Sequence, residues 1–482
     1  MRSSMLRKVV PLLATVAAAA CAPVGPDYHR PEAAIAERPS AKAPFLSGNE
    51  PAFAETAVPQ DWWRLYRDPV LDSLVAEAIA ANTDLRVAAA NIARAQAQRT
   101  ITEDAREPQT ELGASISRAM PSAQEELMPG EAFPSFWVYS LEASASYQLD
   151  LAGQIRRAIE AADADVAATQ AAYDATRVTV VAQTTAAYVE ACAAGHEIGV
   201  VQQALDLQRR STELTRRLVR GGRGSTLDVT RSTAQEAQVR ANLPTLIAQK
   251  QTALFRLATL TGKPPAEFDR RVAGCGREPQ LDRPVPIGDG AALLRRRPDV
   301  RQAELLLRAA TARIGVATAD LYPKIRLGAS VGSAGLAESF LASDTFKFGL
   351  GPLISWEFPN RKRVRARIGM AEAEADAAYA RFDGVVLTAL REVETALTVY
   401  ARDLDRRREL EEARSHAAQA ARDAQTLFRA GRQGFLPVLD ADRVLISAEQ
   451  ALAAQESRIA ADQVRLFLAL GGGWQTSAAA EA

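Results

Sequence analysis

Two periodicities divide this chain. In FWVYSLEASASYQLD, beginning at Phe136, every second residue from Trp137 is apolar (Trp137, Tyr139, Leu141, Ala143, Ala145, Tyr147, Leu149), and the residues between them from Ser140 onward are polar. A period of two places one set on each face of a β-strand. TFKFGLGPLISWEF repeats the pattern with Phe346, Phe348, Leu350, Pro352, Ile354, Trp356 and Phe358 on the apolar side. Shorter partners alternate at Leu112, Ala114 and Ile116, and at Ile325, Leu327, Ala329 and Val331. Two hairpins are therefore expected, over about residues 109–150 and 323–358.

Elsewhere the apolar positions recur at helical spacing. Pro69 to Glu103 is expected as a helix with Leu71, Leu74, Val75, Ala78 and Ile79 along one face. From Gln154 to Arg220 there is no proline, and glycine occurs only at Gly195 and Gly199; Arg361 to Ala430 is interrupted only by Gly369 and Gly384. A helix over the first stretch would be roughly 100 Å long at about 1.5 Å per residue. Such lengths do not fit inside a compact domain and imply a tube or stalk. Alanines such as Ala161, Ala162, Ala167, Ala168, Ala171 and Ala172 would let neighbouring helices approach closely. Pro244 should kink or break the returning helix, because it removes an amide donor.

The patterns occur twice. NTDLRVAAANIARAQ at Asn82 lines up with RPDVRQAELLLRAAT at Arg297, and EPQTELGAS at Glu107 with YPKIRLGAS at Tyr322, both displaced by 215 residues. LVRGGRGSTLDV at Leu218 lines up with LFRAGRQGFLPV at Leu427, displaced by 209. Near the end LATLTG at Leu257 matches FLALGG at Phe467 once one residue slips. A displacement this large marks a duplicated domain instead of a solenoid unit. The halves are assigned to residues 61–290, with a long helical hairpin over about 152–262, and 291–482, with its counterpart over about 361–471.

Composition changes the picture in what it removes. With 58 basic and 58 acidic residues, no net field favours nucleic acid or an acidic partner. His29, His196 and His416 are far apart and no CxxC occurs, so no metal site is expected. No Walker loop or GxGxxG after a strand is present; the glycine-dense Gly221 to Ser225 follows a helix pattern and lacks a phosphate-binding lysine. An enzyme is not expected, nor any cofactor. Cys192 and Cys275 have no CxxC context and read as buried small apolar residues.

The N-terminus has the layout of an export signal. Arg2, Arg7 and Lys8 precede the apolar Val9 to Ala20, a run too short to span a bilayer, and Cys21 follows small residues directly. This resembles a bacterial lipobox, in which residues 1–20 are removed and Cys21 carries the lipid; the alternative is an ordinary signal cut near Ala20. Four strands placed in lipid would leave two edges with unsatisfied amides, so closure is compulsory, and the smallest membrane barrels use about eight strands. Several copies must then share one barrel. Ten of the 28 aromatic residues fall in Phe133 to Tyr147 and Phe340 to Phe358, as at a lipid interface. A sandwich with one wet face would give the same alternation, but the chain has only four such strands.

CAPVGPDYHRPE, DWWRLYRDPVLDSLVAEAIAANTDL, LRRRPDVRQAELLLRAATARIGVATADLYPKIRLGASVGSAG and the paired LVRGGRGSTLDV and LFRAGRQGFLPVLDADR resemble the outer membrane factors, the TolC-like family, in their NodT-type lipoprotein branch. The likeness spans nearly the whole chain. It implies a mainly α fold with a transmembrane β-barrel portion: a homotrimeric 12-stranded barrel in the outer membrane of a Gram-negative bacterium, four strands per chain, continued by a periplasmic α-helical barrel. It further implies the exit duct of a tripartite efflux system, with a periplasmic adaptor and an inner membrane transporter, commonly of the resistance-nodulation-division type. Residues 21–60 would be the acylated N-terminus, covalently lipidated at Cys21, and an extended strap. The duct of a type I protein secretion system is the alternative within transport; a purely structural lipoprotein strut is disfavoured by the strands.

Carried over by position, the adaptor-facing turns fall on Arg220, Gly221, Gly222, Arg223, Gly224, Ser225 and Leu227, and on Arg429, Gly431, Arg432, Gly434 and Leu436. The residues agree with turns: the glycines allow a tight reversal, Ser225 with Asp228 resembles a capping box, and Gly434 with Pro437 restarts the second helix. Helix hairpins that bind nothing would look the same. Where the family often carries acidic side chains at the narrow periplasmic aperture, this chain has Arg429, Arg432 and Gln433, joined by Arg220 and Arg223. They are either gate residues bonded across the closed aperture or solvated arginines favoured at a helix C-terminus.

Overall fold

The fold is described from a computed structural model covering residues 23–120, 122, 130, 134–281, 283–359 and 361–474; the leader, Cys21 and most of the first hairpin loop lie outside these described residues. Eight principal helices are α1 (Pro69–Ala81), α2 (Thr83–Asp104), α3 (Gln154–Arg220), α4 (Thr226–Arg240), α5 (Leu243–Leu260), α6 (Pro298–Ala319), α7 (Arg361–Arg429) and α8 (Leu436–Ala469). The strands are β1 (Phe53–Ala54), β2 (Gln109–Ala119), β3 (Phe136–Leu149), β4 (Val285–Pro286), β5 (Lys324–Leu336) and β6 (Phe346–Ser355). Among the described residues no helix is long and apolar enough to cross a membrane.

The chain forms two compact units. One contains residues 92–169 and 303–382 with the segment up to Arg30, and its centre is an antiparallel sheet in the order β2-β3-β5-β6. The segment after Cys21 is knitted into this unit. Arg157, whose side chain is almost fully buried, donates to the carbonyls of Val24 and Gly25 and to Asp27 Oδ1 at 3.1, 3.2 and 2.7 Å, and pairs with Glu160 at 2.8 Å. Burial opposes the charge of Arg157, but the hydrogen bonds and charges of Glu160 and Asp27 outweigh it and hold the guanidinium protonated. Gly25, at φ +89°, lies so close to Gly315 that an added Cβ would sit 2.4 Å from its Cα. Arg30 then pairs with Glu304 at 2.6 Å.

The other unit, residues 31–91, 170–302 and 383–474, holds the main apolar core. Its centre is Trp62 stacked on Phe467 at 4.5 Å, surrounded by Leu71, Leu74, Val75, Leu257, Leu397 and Leu466. Thus the face read on α1 is buried as its spacing predicts. Residues 31–60 are less extended than expected: they include short helical turns at Ile35–Glu37 and Pro39–Lys42, and β1 pairs in parallel with β4.

Two further expectations need correcting. The helix expected over Pro69 to Glu103 is broken at Asn82, which is buried and extended at φ −61°, ψ 134°. Its Oδ1 accepts from Asp84 N and Leu85 N to start α2, and its Nδ2 donates 3.1 Å to the Leu260 carbonyl at the end of α5. Cys192 and Cys275 are not merely buried apolar residues; they form a disulfide, with Cα atoms 4.9 Å apart. The long helices begin and end within a residue of expectation, and the Pro244 break falls between Arg240 and Leu243.

The duplication is visible in atomic detail. Gly262 and Gly471, 209 positions apart, end α5 and α8 at φ +72° and +68°. Asn82 holds the Leu260 carbonyl; its counterpart Arg297 holds the Ala469 carbonyl at 2.9 Å. Different side chains thus satisfy the same exposed helix-end acceptor.

Candidate pore sheet and docking turns

The four principal strands are 11, 14, 13 and 10 residues long, enough for a tilted strand to cross a bilayer, which takes about 9–11. Register places Leu112, Ala143, Val331 and Phe348 in one row across all four strands. The next row is Gly113, Glu142, Gly332 and Lys347. The alternation read from sequence therefore becomes two faces. On the apolar face Leu112 is 75% exposed, Phe348 87% and Leu350 85%, with Trp137, Val331 and Ile354 also open. Within this unit the greasy side has no cover.

The polar face is built from small residues: Ser144, Ser330 and Gly349 form one row, and Ser146, Gly328 and Gly351 another. Lys347 Nζ reaches across Gly332 to Glu142 Oε2 at 2.6 Å, where a Cβ on Gly332 would lie 2.5 Å from the Leu141 carbonyl. Both charged groups are half-exposed, so the pair is a wet surface contact of small worth. At one end Tyr139 is the exception on the apolar face. It is buried, its hydroxyl lies 2.6 Å from Ser333 Oγ and accepts from Leu341 N at 2.9 Å, and its ring meets Phe340. The β5–β6 loop folds over it. Strand β6 ends at Ser355, short of the expected Phe358, as Trp356 Nε1 donates 3.1 Å to the Leu321 carbonyl.

Both helix turns assigned to docking share one geometry. At the end of α3, Gly222 N bonds the Val219 carbonyl and Arg223 N bonds the Leu218 carbonyl, with Gly222 at φ +71°. At the end of α7, Gly431 N bonds Phe428 and Arg432 N bonds Leu427, with Gly431 at φ +68°. These are Schellman stops, in which a left-handed residue turns the chain and caps the last carbonyls. Only Gly222 and Gly431 need glycine for their backbone sign. Gly224 needs it for space, since a Cβ would meet Val219 at 3.2 Å. Ser225 and Asp228 make the expected capping box; α8 starts instead with Pro437 in its first turn and with Phe428 packed on Phe435 across the turn.

Each turn presents the same solvent-facing set: Arg220, Arg223 and Leu227 in one, Arg429, Arg432 and Leu436 in the other, each pair 209 apart. Leu227 and Leu436 are 53% and 54% exposed, unusual for leucines on a helix start. Arg220 pairs with Glu213 at 3.1 Å, while Arg223 and Arg432 make no side-chain hydrogen bond or ion pair among the described residues. Gln433 donates to the Ala424 carbonyl at 2.7 Å and is tied to the preceding helix.

Sequence reading missed the partner of Arg429. Its guanidinium donates 3.4 Å to Gln425 Oε1, and Gln425 Nε2 donates 3.2 Å to Asp442 Oδ1 on α8. Asp442 is buried, and burial pushes its carboxyl up from the usual range, only partly countered by Gln425. The signal was present: Val438, Asp442 and Ile446 recur every four residues, so an acid sits in an apolar stripe.

Known proteins similar to this chain include outer-membrane channels. The family described as outer membrane efflux protein matches twice, over residues 74–263 and 291–472, once in each repeat. The chain is 31% identical over 465 residues to the toluene efflux pump outer membrane protein TtgC of Pseudomonas putida, covering 93% of this chain and 92% of that one. It is 28% identical over 456 residues to nodulation protein T of Rhizobium leguminosarum bv. viciae, covering 94% and 90%. Among solved structures, the outer-membrane channel OprN superposes with a TM-score of 0.85 at 34% identity, over 94% of this chain and all of that one. An uncovered apolar sheet, two repeats and paired helix turns on long helices agree with these matches: the chain belongs to the outer membrane efflux protein family.

Proposed function

We propose that the chain works as a homotrimer that forms the exit duct of a tripartite efflux system in the outer membrane, conducting passively what an inner membrane transporter and periplasmic adaptor deliver. The observation that carries this reading is the sheet. Among the described residues strands β2 and β6 each leave one edge of the sheet open, and the apolar face is bare. Three copies joined edge to edge make twelve strands with no free edge, which lipid requires. As a passive duct it leaves the energy, and with it the choice of cargo, to the transporter. Reconstitution in liposomes is the test: the trimer should admit small solutes, and a monomeric, non-conducting protein would overturn the reading.

Cys21, outside the described residues, carries the lipid in this proposal. Several acyl chains, at about 0.8 kcal/mol per buried methylene, tether the chain before any strand inserts. Support comes from the described residues that follow, since Arg157 grips Val24, Gly25 and Asp27 and anchors this segment to the unit that holds the sheet. The Cys192–Cys275 disulfide fits an oxidising periplasm. A Cys21→Ser variant should lose acyl labelling in vivo.

The two turns serve as adaptor sites, with Leu227 and Leu436 as apolar anchors ringed by arginines. Arg429 and Arg432 hold the aperture narrow, Arg429 being braced through Gln425 against Asp442. Single-channel conductance of Arg429→Ala and Arg432→Ala decides the gate: a rise over wild type supports it, and unchanged conductance in both removes it.

A further inference from the structure

The Cys192–Cys275 disulfide does more than join two segments. Cys192 lies one turn before His196 on α3, and Cys275 lies three residues before Glu278. The backbone between them is pressed onto the helix: a Cβ on Gly195 would sit 2.1 Å from the Cys275 carbonyl oxygen, and Lys250 Nζ donates to the same oxygen at 2.9 Å. Three constraints therefore set the position of Glu278 against His196.

The outcome is a convergence that spacing along the chain does not reveal. His196 Nδ1 lies 3.0 and 3.3 Å from the two carboxylate oxygens of Glu278, and 3.9 Å from Glu456 Oε2 on α8. One donor atom from each of the three residues lies within 4.8 Å of the others. The Glu278 side chain is only 1% exposed, an unusual place for a carboxylate, and His196 is its sole side-chain partner among the described residues. An imidazolium there would offset one negative charge, but two carboxylates meet it.

We propose that His196, Glu278 and Glu456 form a site for one divalent transition-metal ion of the zinc class, which clamps α3, the disulfide-bonded segment and α8 together. Bonds of about 2.0–2.2 Å to nitrogen and oxygen put neighbouring ligand atoms about 3–3.5 Å apart; His196 and Glu278 already stand at that spacing, and the half-buried Glu456, at 3.9 Å from His196, has to draw in. An imidazole nitrogen favours zinc over magnesium or calcium, and three protein ligands leave a fourth position for water. The divalent charge balances both carboxylates. The disulfide acts as outer support, holding Glu278 in place so that little order has to be gained on binding.

The test uses the full chain purified as the detergent-solubilised assembly, stripped with EDTA and exchanged into metal-free buffer. Titration with zinc chloride, followed by calorimetry and elemental analysis, should give about one zinc per chain. Glu278→Gln, Glu456→Gln and His196→Asn should each bind at least about tenfold more weakly, since even supporting residues of metal sites cost 10-fold to 100-fold. Cobalt in place of zinc should give visible absorption bands in wild type that His196→Asn lacks. Glu456→Gln, at a half-buried position, keeps the test open if the buried Glu278→Gln fails to fold. Absence of zinc binding by wild type, or affinity in Glu456→Gln and His196→Asn unchanged from wild type, overturns the site; channel conductance is a separate readout and decides neither outcome.

Discussion

Trp62 and Phe348 are both large aromatics with charged residues close by in sequence, yet one is 1% exposed and the other 87%. Trp62 belongs to a core that the chain completes alone, stacked on Phe467 and closed by helices from both repeats. Phe348 belongs to a sheet whose apolar row ends in solvent. The contrast teaches that burial within one chain and burial in the working assembly differ. Where a face is complementary to its own chain, folding covers it; where it is flat, periodic and open at both edges, only lipid and further copies do so.

The contrast has measurable consequences. Trp62→Ala should be the costliest change, about 3–5 kcal/mol of unfolding free energy by denaturant titration, because it opens a cavity in a closed core. Phe348→Arg should cost about 2–4 kcal/mol, but only in the bilayer, where an arginine faces hydrocarbon. It should scarcely change the thermal stability of the helical core. An equal loss from Phe348→Arg with and without lipid would break the comparison, since the residue would then be buried by protein. Gly222→Ala and Gly431→Ala test a third environment, the solvent-facing turns. Each should lose about 1 kcal/mol through a left-handed backbone that L-residues resist, with the global core intact.

The smallest effect should appear as a pH slope confined to the helical unit. Asp462 is buried beside Asp403, with Arg465 and Arg458 as the neighbouring cations. Burial and the Asp403 carboxylate push the Asp462 carboxyl up from 3.8 to about 6. Between these values the folded chain holds more protons than the unfolded one, so stability is fully present below the lower value and falls as pH rises through the upper. Asp462→Asn should flatten that slope in thermal melts at pH 4 to 7, and a slope unchanged by the variant would show that another group carries it.

Much of the architecture was readable before any coordinates. The two-residue alternation of β3 and β6 named the apolar face, because a strand's side chains have no other way to sort themselves. Freedom from proline set the lengths of α3 and α7, and glycine marked where they stop. The single helix expected from Pro69 to Glu103 failed at Asn82, since helical spacing continues through a cap whose decisive bond goes to Leu260. The two helix turns were legible as turns, but the brace from Arg429 through Gln425 to Asp442 was not, for it depends on how two helices face each other.

Local order, duplication and the need for a shared barrel follow from residue pattern alone, since periodicity and backbone valence act within a few residues or on whole strands. Tertiary structure alone decided that Cys192 meets Cys275, that Asn82 and Arg297 cap remote helix ends, and that His196, Glu278 and Glu456 converge. A pattern tells which face of an element must be covered; it carries no address for the distant segment that covers it, and each of these contacts joins segments brought together only by packing.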